Sequence, residues 1–152
     1  SKEIPYWHEI IGYNYRLTNI ASAIGLAQLE SISKILDLKD KIKDAYKTKL
    51  DNLNINFQAL PEKSISSNWL VVIKFVDKNI LDKVMDELDK AGIETRPAFP
   101  LVSDMPPYVD SSDSNYPNAR EISSSSLCLP SYPELKEENI KYITDVIKNS
   151  LK

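Results

Sequence analysis

The fold turns on residues 69–97, WLVVIKFVDKNILDKVMDELDKAGIETRP. Trp69 to Val76 is dense in β-branched and aromatic side chains, which predicts a strand buried on at least one face. Asp77 or Asn79 offers a side-chain oxygen to cap a helix over about 80–91, where Ile80, Leu81, Val84, Met85 and Leu88 share one face. Gly92 stands where that helix should stop, because glycine enters the left-handed region without a Cβ penalty. Ile93–Arg96 reads as a second short strand, ended by Pro97.

Upstream, Thr18 is placed to cap a long helix. Ile20, Ile24, Ala27, Leu29, Ile32, Ile35 and Leu36 recur at the helical period, and Ile42, Ala45, Tyr46 and Leu50 extend it. Ser31–Ser33 predicts a kink or break, and Ala21, Ala23 and Gly25 make one stretch small enough for close helix packing. Residues 52–68 form a turn-rich linker, and residues 1–17 a loop rich in tyrosine and tryptophan. Downstream, residues 97–118 hold five of the nine prolines, so this is a long loop with a role of its own. A short helix over 118–124, a third strand at Leu127–Leu129 and a last helix opening at Ser131–Glu134 complete the pattern. The sum is an α+β fold: a long N-terminal helix and a small, mainly antiparallel sheet of about three strands with helices packed on it.

Composition narrows the function. The chain has 152 residues but three glycines, where average usage gives about ten. Neither a G-x-x-x-x-G-K-[ST] phosphate loop nor a G-x-G-x-x-G dinucleotide fingerprint exists, so a phosphate would be met by side chains or a helix N-terminus. A net charge of −3 gives no electrostatic footprint for nucleic acid or an anionic membrane. One cysteine excludes an internal disulfide and a cysteine-rich zinc site, and one histidine excludes histidine-cluster chemistry. No apolar run approaches the ~20 residues of a membrane span, and no signal peptide is visible, so a cytoplasmic setting is expected. The chain opens Ser-Lys-Glu, and the bulky Pro5–His8 that follow read as the middle of a longer protein; a processed start is the alternative.

Taken residue by residue, the chain contains no self-contained active site. His8 alone reads first as a structural or surface histidine, Cys128 as inert core, and the serines at 123–126 lack a nearby base. Two segments look over-specified. Gly12-Tyr-Asn-Tyr-Arg-Leu-Thr-Asn19 gathers amides and an arginine at a helix N-terminus, which suits an anionic group. Gly92-Ile-Glu-Thr-Arg-Pro-Ala-Phe-Pro100 aims Arg96 from a strand end into the proline-rich loop, where a binding site is often built.

These segments carry a resemblance. YWHEIIGYNYRLTNIASAIGLAQLE (6–30) resembles the segment after the catalytic lysine in the DegT/DnrJ/EryC1/StrS sugar aminotransferases. AGIETRPAFPLVSDMPPY (91–108) is similar to the family's C-terminal loop, and SLCLPSYPELKEENIKYI (126–143) to its final strand and helix; within the family the perosamine-synthase-like branch is most similar. The resemblance implies a pyridoxal phosphate enzyme that aminates a keto-sugar on a nucleotide, with a donor such as glutamate. It implies that residues 18–152 are the small C-terminal domain of the type I aminotransferase fold, and that residues 1–17 join it to a missing large domain. That domain would hold the lysine, so no catalytic residue is assigned here and the chain alone should be inactive. It also implies a homodimer in which Asn14 reaches the cofactor phosphate of the neighbouring subunit. Tyr15, Arg16 and His8 would line the shared cleft, and Arg96 with the 97–108 loop would border the nucleotide-sugar pocket. Here the sequence departs from the family: Val102-Ser103 stand where many members place a histidine after Pro-Leu, and the stretch at Phe99 and Pro100 is one residue short. Without those partners Tyr6, Trp7, Tyr13 and Tyr15 should form an exposed apolar patch. Two other readings remain open: a free-standing α+β module binding a small ligand or protein through residues 97–118, and a dimerisation domain built on the small-residue helix.

Overall fold

The computed structural model describes residues 7–14, 16–111 and 116–152. Among these, the helices are α1 (Asn19–Glu30), α2 (Ile32–Lys49), α3 (Lys78–Lys90), α4 (Pro117–Ser125) and α5 (Glu137–Ser150). The strands are β1 (Asn56–Phe57), β2 (Val71–Lys74), β3 (Arg96–Pro97) and β4 (Ser126–Leu129). All pairings are antiparallel, in the order β1-β2-β4-β3. The α+β architecture is as expected, with four strands rather than about three.

Alternation along the strands sorts the side chains onto two faces. Val71, Ile73, Leu127 and Leu129 meet α2, α3 and α5 in one core, where Tyr46, Ile73, Phe75, Val84, Leu88, Leu127 and Ile147 are fully buried. Val72, Lys74, Ser126 and Cys128 occupy the opposite face, in register as Val72–Cys128 and Lys74–Ser126. Across that face run the 97–108 loop and α4: the Ala98 N–H donates to the Ser126 carbonyl at 2.9 Å, and Lys74 pairs with Glu121 at 2.7 Å.

The caps explain the helix limits. The Thr18 hydroxyl accepts from the Ala21 N–H at 3.2 Å, and Asp77 accepts from the Ile80 N–H at 3.0 Å. Ser31 separates α1 from α2, at the break expected there. Gly92 has φ +73°, the left-handed stop, and the Ile93 N–H donates back to the Leu88 carbonyl at 2.9 Å.

Four boundaries differ from expectation. The strand expected from Trp69 starts at Val71, because Asn68 turns left-handed (φ 45°) and the Trp69 carbonyl accepts from Lys39 Nζ at 2.8 Å instead of joining a ladder. The strand expected at Ile93–Arg96 is Arg96–Pro97, so Arg96 opens it rather than ending it; Ile93 is spent closing α3 and filling the core. The last helix starts at Glu137, since Leu135 turns into the core through a bond from its N–H to the Tyr132 carbonyl. Within the linker, Asn56–Phe57 pairs with Lys74 and Ile73 as the fourth strand.

One helix stands apart. α1 buries no residue within this chain; Ile20, Ile24, Leu26 and Leu29 are each more than half exposed. Its apolar residues are spread around the helix rather than gathered in one stripe, and among the described residues no surface covers them.

Candidate functional site

The two over-specified segments meet. His8, Asn14 and Arg16 from the N-terminal segment line one open cleft of about 1020 Å³ with Phe99, Met105 and Tyr108 of the loop. His8, Asn14 and Arg16 are exposed, so their polar groups are available to a ligand in the cleft. Tyr15 lies outside the described residues.

The loop wall is held in place by specific bonds. Met105 is 7% exposed and anchors the two short 3-10 turns, Val102–Asp104 and Pro106–Ser111. Arg120 grips Asp104 with both terminal nitrogens, at 2.5 and 2.7 Å, the forked geometry that fixes a carboxylate in orientation. That guanidinium holds the Asp104 carboxyl below its usual range. The Ser123 hydroxyl donates to the Phe99 carbonyl at 2.8 Å. Of the three arginines, Arg120 is therefore committed to structure.

Arg96 is placed elsewhere. It lines a second cavity of about 750 Å³ with Trp69, Cys128, Tyr132 and Tyr142, and its guanidinium pairs with Glu94 at 3.2 Å. Phe99 belongs to both cavities and stacks on Trp69, with ring centroids 6.1 Å apart. The structure thus brings His8, Asn14 and Arg16 together and sets Arg96 on the far side of Phe99. Cys128 is buried, and burial pushes its thiol up, away from nucleophilic chemistry.

Asn14 and Arg16 suit a phosphate. They supply a neutral donor and a cation on one wall, and the adjacent first turn of α1 carries no acidic side chain to oppose an anion. Among the described residues, no group of three or more histidine, cysteine or acidic side chains could hold a metal ion. Of the expected aromatic patch, Tyr13 is 74% exposed and Trp7 is partly buried; Tyr6 and Tyr15 lie outside the described residues. The sequence reading missed Met105 and the Asp104–Arg120 fork. The pairing of those two charges, separated by the loop, has no local signal in the sequence.

Comparison with known proteins matches residues 1–148 to the model of the DegT/DnrJ/EryC1/StrS aminotransferase family. The chain is 36% identical over 142 residues to a GDP-perosamine synthase of Escherichia coli O157:H7, covering 93% of this chain and 38% of that protein. It is 34% identical over 148 residues to a GDP-perosamine synthase of Vibrio cholerae, covering 95% and 40%. The chain therefore spans about two fifths of the length of these curated relatives. A DegT DnrJ EryC1 StrS aminotransferase from Brucella abortus superposes with a TM-score of 0.78 at 24% identity, over 97% of this chain and 39% of that one, which shows the shared fold. No helix among the described residues is long and apolar enough to cross a membrane.

Proposed function

Because the chain belongs to the DegT/DnrJ/EryC1/StrS aminotransferase family, we propose that it forms the C-terminal part of a pyridoxal phosphate enzyme that aminates a keto-sugar carried on a nucleotide. The observation that carries this reading is the cleft in which His8, Asn14 and Arg16 face the 99–108 loop. Residues 1–17 join this small domain to a large domain that supplies the lysine, and residues 18–152 complete the site. The cofactor supplies the electron sink for moving an amino group.

This chain's residues bind and position. Asn14 donates its amide to the cofactor phosphate across a homodimer interface. Arg16 neutralises a phosphate or pyrophosphate oxygen, and His8 and Tyr15 line the same cleft. The loop, fixed by Arg120 and Met105, forms a wall that limits water. Arg96 borders the nucleotide-sugar pocket beyond Phe99. A donor such as glutamate provides the amine, and the chain on its own is inactive.

The test uses the full-length enzyme, including the segment upstream of Ser1. It should show the visible absorbance of bound cofactor and transfer an amino group from glutamate to a 4-keto nucleotide sugar. Absence of both in a folded full-length protein refutes the proposal. Asn14→Ala should weaken cofactor binding by about tenfold or more, the loss of one hydrogen bond to a charged group. Unchanged cofactor affinity would remove Asn14 from the phosphate site.

A further inference from the structure

The cavity of about 750 Å³ beyond Phe99 combines a lysine with an aromatic rim. Lys39 reaches it from α2, and its Nζ donates to the carbonyls of Trp69 at 2.8 Å and Ser131 at 2.5 Å. Both acceptors are neutral. No carboxylate among the described residues pairs with this ammonium; the adjacent Asp40 is taken by Lys43 and by the Asn68 amide. Burial lowers the Lys39 pKa, and no acidic charge acts to restore it. The side chain is only half-buried, so it remains within reach of an occupant. An ammonium has three donors, and two are spent.

The charge of the cavity follows from its lining. The charged side chains there are Lys39, Arg96 and Glu94. Arg96 and Glu94 pair with each other at 3.2 Å, so the positive charge left uncompensated is that of Lys39. In a chain of net charge −3 this is a local reversal of sign. A half-desolvated cation gains more from an anion than an exposed lysine does, because the surrounding dielectric is lower. The rim is aromatic and open: Trp69 is 68%, Tyr132 52% and Tyr142 53% exposed. Trp69 is braced by its stack on Phe99, and the Tyr142 hydroxyl donates to the Ala91 carbonyl at 3.3 Å. Two of the three rings are thus held before any ligand arrives. The volume falls within the roughly 300–1,000 Å³ of small-molecule sites.

We propose that this cavity binds a small planar aromatic monocarboxylate, the carboxylate on Lys39 Nζ and the ring against Trp69 and Tyr132. One uncompensated positive charge matches one negative charge. A phosphate monoester brings close to two at neutral pH and overmatches it. A neutral ring fits the rim but leaves the ammonium unanswered. The site lies across Phe99 from the cleft of His8, Asn14 and Arg16, and it stands whether or not the aminotransferase reading holds.

The probes are indole-3-acetate, its neutral counterpart indole-3-acetamide, and acetate, which separate ring from charge. Titration of the full ¹⁵N-labelled chain with indole-3-acetate should shift the Trp69 indole N–H and the amides of Lys39, Arg96 and Tyr132. Indole-3-acetamide should bind about tenfold more weakly, and acetate at the same concentration should shift nothing. Lys39→Gln should weaken indole-3-acetate about tenfold and leave indole-3-acetamide unchanged. Trp69→Ala removes an exposed ring and keeps the carbonyl that receives Lys39, so it tests the rim even where loss of the lysine disturbs the fold. It should weaken both ring compounds about fivefold. The proposal is overturned by shifts confined to other surfaces, by indole-3-acetamide binding as tightly as the acid, or by unchanged affinity in either variant. Displacement of indole-3-acetate by lower concentrations of GMP would also overturn it, because the cavity would then belong to the nucleotide of the proposed substrate.

Discussion

Replacing Tyr46 by phenylalanine isolates one atom in the core. The Tyr46 ring is fully buried against the sheet, and its hydroxyl donates to the Pro130 carbonyl at 2.9 Å, tying α2 to the turn between β4 and α5. Tyr46→Phe keeps the ring and its contacts, so no cavity term arises. What is lost is one hydrogen bond, about 1 kcal/mol net, rising towards ~2 kcal/mol if the Pro130 carbonyl finds no water. For a domain of this size each kcal/mol moves the melting temperature by about 2–4 °C, so a drop of about 2–8 °C is expected. Tyr46→Ala adds the ring's transfer and cavity terms and should cost about 3–5 kcal/mol. The assay is urea and thermal unfolding by far-UV circular dichroism on the three proteins side by side, with equal m-values as the check on the unfolded state. If Tyr46→Phe is as stable as the native chain, the tie to Pro130 contributes nothing. If it falls as far as Tyr46→Ala, the ring has repacked and the division between hydroxyl and ring is wrong.

Gly92→Ala should destabilise by about 1–2 kcal/mol in urea melts: nothing lies within 4 Å of the added Cβ, so the cost is the left-handed backbone alone. Neutral behaviour there would show that the turn relaxes. The Asp104 carboxyl is held low by Arg120, so its contribution to loop order is present above the ordinary carboxylate pKa and is lost as pH falls through the depressed folded value. The Asp104 carboxyl ¹³C shift and the Arg120 guanidinium N–H signals should hold steady from pH 7 to about pH 4 and change only below that; a titration of the Asp104 carboxyl near pH 6 would contradict the fork. Asp104→Asn at pH 7 should reproduce the acid change at Arg120. Cys128, buried and with its thiol pushed up, should react slowly with a disulfide reagent until denaturant opens the sheet. Rapid labelling in the native state would place the thiol at the surface.

Much of this architecture was legible because local signals and global packing agree. Asp77, the 80–88 apolar face and Gly92 each name a cap, a buried stripe and a stop, and all three hold. The unread parts depend on distant partners. Asn56–Phe57 has no strand signature of its own and becomes one only because β2 offers a free edge. Trp69 looks like a strand residue, yet Lys39, thirty positions earlier, takes its carbonyl. In the cleft, the amides and arginine of residues 12–19 could be read from spacing. The loop opposite them could not, since its shape follows from Met105 burial and from Asp104 meeting Arg120. The Trp69–Phe99 stack between the two cavities is likewise a contact of the folded chain only, with no signal in the sequence around either residue.

The isolation of α1 has an energetic meaning. At 12 residues and with nothing buried, it is near the length at which a lone helix is marginal in water. Its hydrogen bonds are therefore not coupled to the cooperative unit built on Tyr46, Ile73 and Leu127. A mutation that halves the stability of the sheet should leave exchange of the α1 amides untouched, and the reverse holds for changes in α1. Protection of those amides then becomes a gauge of what covers Ile20, Ile24 and Leu29. They should exchange almost as fast as a free peptide in this chain alone, and slowly once another surface settles on them, so the helix that adds least to the domain's own stability reports most directly on its assembly.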